Sequence, residues 1–262
     1  MSNAWSFGGT TLATYGKVTK IDDYLDVPSR RGGNQMIPYQ HGEIFVKKYY
    51  ESRTLSFGIA IISASATALE STFDTMRAKF APLTQQTLSD TREDGSVREA
   101  SAIVNKPIQV NRITGTLAKV VVSFELADPI FRLNSAIADN TVVIDATPHA
   151  MTVTNPGTVE ERNPTIIIHG AFTAVTITNS TNGAVLTYTG TIGTGATVTI
   201  GTLNGEYYAT LSTGSANVIG NVTHSGSAAL MTFDVGANTL AITSTGLDGN
   251  STVKITFSAP FL

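Results

Sequence analysis

The sequence predicts a mainly β protein in two parts: a β-rich N-terminal domain with one α-helix at about residues 67–80, then an antiparallel β-sandwich. Three observations predict it. Short apolar–polar alternations separated by Gly, Asn-Gly and Asp-Gly turns recur along most of the chain. Only one stretch has a helical period. Charge also divides the chain: residues 1–135 hold 15 Lys/Arg and 13 Asp/Glu, whereas residues 136–262 hold 2 and 7. Two surfaces this different point to two domains, and 262 residues suit two better than one. The expected division is a domain at 1–133, a linker at 134–141 and a second domain at 142–262.

In the first domain, Trp5 to Gly9 is a short apolar start ending in a glycine turn, and Tyr15 to Ile21 reads as a strand. The Pro28 to Gly33 stretch is turn-like. Glu43 to Tyr50 and Thr54 to Ile62 read as two strands joined through Glu51-Ser52-Arg53. The helix is signalled by Leu69, Phe73, Met76 and Phe80, spaced to share one face. Thr67 and Glu70 have capping-box spacing, Arg77 and Lys79 fall in the last turn, and Pro82 stops the helix. Leu83 to Ser89 and Val97 to Val104 flank a hairpin turn at Asp94-Gly95. A second hairpin joins Ile108–Ile113 to Leu117–Leu126 across residues 114–116.

The second domain reads as strands throughout. Val142 to Ile144, Met151 to Thr154, Thr165 to His169, Ala174 to Thr178, Val185 to Thr189 and Thr197 to Ile200 come first. Tyr207 to Leu211, Leu230 to Asp234, Thr239 to Thr243 and Thr252 to Phe257 follow. Turns are expected at Asn182-Gly183, Asn204-Gly205 and Asp248-Gly249. Many short strands at even spacing predict a sandwich.

Chemical signatures are sparse. The chain has no Cys, so disulfides and thiolate metal sites are excluded. Its four His residues, His41, His149, His169 and His224, have no metal-ligand spacing. No P-loop or nucleophile elbow occurs. Asp22-Asp23, Glu93-Asp94 and Glu160-Glu161 are adjacent carboxylates, which loops normally solvate rather than aim across a cleft. The 247–250 loop lacks the full acidic pattern of a calcium loop. No catalytic residue, metal or cofactor is therefore expected. The net charge of −3 and the scattered cations argue against a nucleic-acid groove. Apolar runs are too short to span a membrane, and no secretion signal is expected.

The segment Phe7-Gly8-Gly9-Thr10-Thr11-Leu12-Ala13-Thr14-Tyr15-Gly16 has an F-x-G-x-x-L-x-x-Y-G pattern. Residues 28–59, PSRRGGNQMIPYQHGEIFVKKYYESRTLSFGI, add a glycine turn, a Gly-Glu step and an aromatic/Arg pair of strands. With residues 127–131, 154–157 and 162–170, these stretches resemble the distal tail protein (Dit) family of siphophages. The resemblance implies a ring-forming N-terminal domain with an extended hairpin and a galectin-like C-terminal sandwich. It further implies a structural, non-enzymatic subunit of a usually hexameric ring joining the tail tube to the tip or baseplate. The implied partners are copies of itself, the tail tube protein and a tail-tip protein, in a virion assembled in the bacterial cytoplasm. No sequence-specific nucleic-acid contact and no membrane insertion are implied.

The charged turns at Arg30, Arg31, Arg92, Glu93 and Asp94 are candidate contacts between subunits. Tyr207 and Tyr208 are candidate surface aromatics, which support an alternative reading: a carbohydrate-binding, host-recognition module of a tail or prophage protein.

Overall fold

The structure, a computed structural model, describes residues 4–37, 41–46, 48–138, 140–145, 147–203, 205–226, 229–246 and 250–262. The chain separates into two compact units, Met1–Asn134 with Leu262, and Ser135–Phe261.

The N-terminal unit is organised by the strands Arg53–Ile62 and Leu117–Leu126, which pair antiparallel along all ten residues of each. Both alternate strictly enough to turn one face inward. Leu55, Phe57, Ile59 and Ile61 from one, and Ala118, Val120, Val122, Phe124 and Leu126 from the other, are buried. The sheet continues through Val97–Val104, Gln86–Thr91 and Ala4–Phe7 on one side and Lys17–Asp22 on the other. Gln109–Arg112 adds to Leu117–Leu126 as the expected hairpin. Gln86–Thr91 and Val97–Val104 form the other, and Gly95 at its turn has φ +80°, a conformation that favours glycine.

The helix runs Ala66–Phe80 and buries Leu69, Phe73, Met76 and Phe80, the stripe its period predicted. Its rings interlock with those of the sheet: Phe80 lies 5.9 Å from both Phe7 and Phe124, and Phe124 lies 4.7 Å from Phe7. The cap differs from expectation. Ser65, not Thr67, is the N-cap, its hydroxyl accepting the Ala68 N–H at 3.1 Å. Thr67 is already helical, and Glu70 pairs instead with Arg112 at 2.6 Å.

The expected strand over 43–50 is also corrected. Only Glu43–Ile44 and Tyr49–Tyr50 are strands, and neither pairs with Arg53–Ile62. The apolar residues there, Ile44-Phe45-Val46, are consecutive rather than alternating. They cannot share one buried face, so the segment folds against residues 30–36 instead.

The C-terminal unit contains a six-stranded sheet and a five-stranded sheet. The first runs Asn140–Val143, Thr252–Thr256, Thr165–His169, Thr197–Leu203, Glu206–Leu211, Ala216–Asn217; the second runs His149–Asn155, Gly236–Thr245, Phe172–Asn179, Ala184–Ile192, Val222–Ser225. Every pairing is antiparallel. Inward residues of both sheets, among them Ile166, Ile168, Val175, Ile177, Leu186, Leu240 and Ile255, share one core, which makes this unit a sandwich. The stretch expected as a linker carries strand at Phe131–Ala136 and Asn140–Val143.

Residues 230–234, expected as a strand, make only an isolated bridge from Phe233 to Glu161. They form instead a buried plug, with Leu230, Met231, Thr232 and Phe233 all at 5% exposure or less. The plug leaves backbone carbonyls in the core, and asparagines satisfy them. Asn179 Nδ2 donates to Thr232 O at 2.9 Å and to Asn238 Oδ1 at 3.1 Å; Asn155 Nδ2 donates to Phe233 O at 3.1 Å. Beside the plug, a Cβ on Gly157 would stand 2.1 Å from Pro260 O, so the close passage there requires glycine. The turn expected at Asn204-Gly205 lies partly outside the described residues, and that at Asp248-Gly249 wholly outside them, as do residues 247–249 of the loop weighed for calcium.

Asn179→Ala should lower the unfolding free energy by about 2 kcal/mol, because it removes the bonds to Thr232 O and Asn238 Oδ1 and the one that Asn179 Oδ1 accepts from the Thr181 N–H. Urea denaturation checks this, with a loss under about 1 kcal/mol counting against the polar clamp.

Candidate assembly surface

Residues 23–52 leave the main sheet between Lys17–Asp22 and Arg53–Ile62 and form an arm. Among the described residues its limbs pair with each other, Arg30–Arg31 with Tyr49–Tyr50 and Gln35–Met36 with Glu43–Ile44. Further bonds knit them. Glu51 N–H donates to Ser29 O at 2.8 Å, the Ser29 hydroxyl to Glu51 Oε2 at 2.7 Å, and Asn34 Nδ2 to Glu43 Oε2 at 2.9 Å.

The arm exposes apolar side chains. Leu25 is 92% exposed, Phe45 85% and Met36 78%, with Val27 and Ile44 also exposed. An apolar set this open on a short segment makes it a candidate interaction surface, because water is a poor solvent for it. Cations accompany it: Arg30 lies with its guanidinium 5.7 Å above the Tyr50 ring, and Arg31 and Lys48 are exposed.

The foot of the arm is held firmly. Arg53, nearly buried, donates through Nη2 to the carbonyls of both Asp23 and Tyr24, the latter at 2.9 Å. The Tyr24 hydroxyl donates to Oδ2 of the fully buried Asp90 at 2.5 Å, and its ring meets Trp5 edge-on at 4.8 Å. Partial burial, reinforced by the Asp90 carboxylate, pushes the Tyr24 phenol up to about 12.

The candidate residues separate into different settings. Arg30 and Arg31 are on the arm. Arg92 turns back toward its foot, with Nη1 3.4 Å from the Tyr24 hydroxyl and 3.9 Å from Asp90 Oδ2. Asp94 closes its own turn, its Oδ1 accepting the Ser96 hydroxyl at 2.6 Å and the Ser96 N–H at 2.9 Å. These bonds, the hydroxyl first, hold its carboxyl below the usual range. Glu93 is exposed at the same turn. In the C-terminal unit, Tyr207 is 40% exposed and meets the His224 ring at 6.1 Å. Tyr208 lies over Gly201, its cross-strand partner, so its ring covers backbone. The residues the sequence reading missed are the apolar ones of the arm. Their signal was Ile44-Phe45-Val46, three apolar residues in a row between Glu43 and two lysines.

Among the described residues, no group of three or more His, Asp or Glu side chains could hold a metal ion. No helix among them is long and apolar enough to cross a membrane.

The chain thus comprises a β-rich unit with one helix and an arm, followed in sequence by a β-sandwich. Comparison with known proteins makes this specific. Residues 14–126 match the phage tail protein RIFT-related domain. The crystal structure of the Dit protein of phage SPP1 (gp 19.1), described as a hub adsorption apparatus protein of phages infecting Gram-positive bacteria, superposes with a TM-score of 0.68 at 16% identity, over 100% of both chains. A chain of the phage p2 baseplate in its activated conformation with Sr matches at a TM-score of 0.47 and 9% identity, also over 100% of both chains, too distant to carry an argument. No curated protein matches the sequence. Residues 14–126 thus match a phage tail domain, and the chain as a whole shares its fold with the SPP1 Dit protein.

Tyr24→Phe should destabilise the protein by about 2 kcal/mol, since buried Asp90 loses a donor. The sign of the pH effect follows from the raised pKa. The stabilisation is full below pH 10, the phenol's ordinary value, and is lost as pH rises through about 12. Alkaline denaturation of the wild type should therefore include a component between pH 10 and 12 that Tyr24→Phe removes. Identical alkaline limbs in the two proteins would contradict the anchoring role.

Proposed function

We propose that the protein is a structural subunit of a siphophage tail tip, assembling through its N-terminal domain into a hexameric ring that joins the tail tube to the tip or baseplate. The exposed apolar arm carries this reading. It is a hairpin firmly rooted at Arg53 and Tyr24 whose outer side chains have no partner surface of their own. A surface of this kind placed asymmetrically on a subunit makes head-to-tail contacts, which close into a ring when the rotation permits. The N-terminal family match supports the tail context.

In this reading residues 1–133 are the assembly domain and residues 142–262 project from the ring as a separate sandwich. Arg30 and Arg31, on the arm, contact a neighbour; Glu93 and Asp94 form a solvated turn at the rim. The role is mechanical rather than catalytic, the virion is its location, and DNA passes through the lumen without sequence-specific contact. The tail tube and tip proteins are its neighbours on either side.

A second reading concerns the sandwich alone. Tyr207 offers a half-open ring beside His224, a platform on which a saccharide could stack. Binding of the intact protein to a glycan array, lost in Tyr207→Ala, would support a host-recognition role; an array without signal removes it.

Light scattering of the purified protein should give six times the 27.6 kDa chain mass, and negative-stain images a ring with a central hole. Replacing residues 25–50, foot and tip together, by a short Gly/Ser link should leave a folded monomer. A ring that survives this replacement would show that the arm is not what assembles it.

A further inference from the structure

The N-terminal unit has a second apolar feature, away from the arm. A groove of about 490 Å³ opens between the C-terminal half of the helix and residues 104–110. Phe73, Met76 and Phe80 of the helix, Val110 and Val120 line it, together with Leu83, which is 83% exposed. Both charged residues that line it, Arg77 and Lys106, are cations. Arg77 also pairs with Asp74 at 2.8 Å, which leaves Lys106 as the stronger determinant of sign.

The arm has two apolar patches, and their charges differ. Met36, Ile44, Phe45 and Val46 lie toward the tip, and on that part of the arm the exposed cations Arg30, Arg31 and Lys48 outnumber the carboxylates Glu43 and Glu51. Leu25 and Val27, at the foot, are flanked by the exposed carboxylates of Asp23 and Asp26. A groove rimmed by cations repels the first patch and attracts the second.

The foot does not fill the groove of its own copy. Leu25 is 92% exposed, and Tyr24 beside it is tied to Arg53 and Asp90. Val120 in the groove floor pairs with Ile59, about 20 Å along the strand from Arg53 at the usual rise per residue. Residues 25–27 reach only about 10 Å from their anchor. A patch and a complementary groove at separate places on one subunit define a head-to-tail contact between copies.

We propose that the groove beside the helix receives Leu25 and Val27 from the arm foot of a second copy, with Asp26 of that copy meeting Lys106. This rests on the ring reading and deepens it by naming the two halves of the subunit contact. It leaves the basic, apolar tip of the arm free for a different tail protein.

Because the chain contains no Cys, cross-linking tests the contact without background. Full-length Leu25→Cys and Val110→Cys chains, both altered at exposed positions, are mixed and treated with a short bis-maleimide. A covalent dimer should form only when both chains are present, and the doubly substituted chain should give a ladder of oligomers. Lys106→Glu should lower the yield about tenfold, and adding Asp26→Lys to that chain should restore it. Rings seen by light scattering without the mixed cross-link would overturn the groove contact and leave the ring reading standing. Dimers of the Leu25→Cys chain alone would also overturn it, since they require a symmetric contact. A monomeric mass with no cross-link at any concentration would remove both the contact and the ring.

Discussion

The ten-residue pairing of Arg53–Ile62 with Leu117–Leu126 is the constraint on which the N-terminal half depends. It fixes which side chains of both strands face inward, and the helix is placed by packing against that face. A one-residue slip would turn Leu55, Phe57 and Ile59 outward and leave Phe73 and Phe80 without a partner surface. The same pairing sets the ends of the domain's working surfaces. Arg53 at one end holds the arm foot, and Val120, opposite Ile59, forms part of the groove floor. Foot and groove are therefore held at a fixed separation by a rigid ladder of backbone bonds.

The two units use different means to stabilise a β core. In the first, rings contact one another: Trp5, Phe7, Phe57, Phe80 and Phe124 form a continuous aromatic cluster. In the second, the apolar core is mostly aliphatic, with Phe233 stacked on Phe257, and buried asparagines hold a non-repetitive plug inside it. Each amide both donates and accepts, so it can satisfy loop carbonyls that no ladder reaches. This suits the charge-poor composition of that unit, whose buried polar groups are neutral amides more often than ions.

The arm reverses the logic of the core. Its limbs are joined by hydrogen bonds to each other while apolar side chains such as Leu25, Met36 and Phe45 face solvent. If a partner covers that surface, as proposed, anchoring at Tyr24 and Arg53 limits the entropy lost, because the foot is already fixed. A contact built on a preset hairpin can then be specific without being extensive, and its charges decide which partner fits.

Much of the fold was determined by the sequence alone, because it rests on local period. Leu69, Phe73, Met76 and Phe80 could share a face only in a helix, Asp94-Gly95 could turn only a hairpin, and alternation in Arg53–Ile62 and Leu117–Leu126 required half-buried strands. Tertiary structure decided what local period leaves open. Residues 230–234 are as apolar as a strand, and the side chains of Asn155, Asn179 and Asn182, remote in sequence, make a buried plug possible there. Arg92 reads in sequence like the charged pair Arg30-Arg31, but the proximity of Tyr24 and Asp90 draws it inward. The arm and the groove were hidden for the same reason. Exposure belongs to a side chain's neighbours, and for Leu25, Phe45 and Leu83 those neighbours are set by contacts dozens of residues away along the chain.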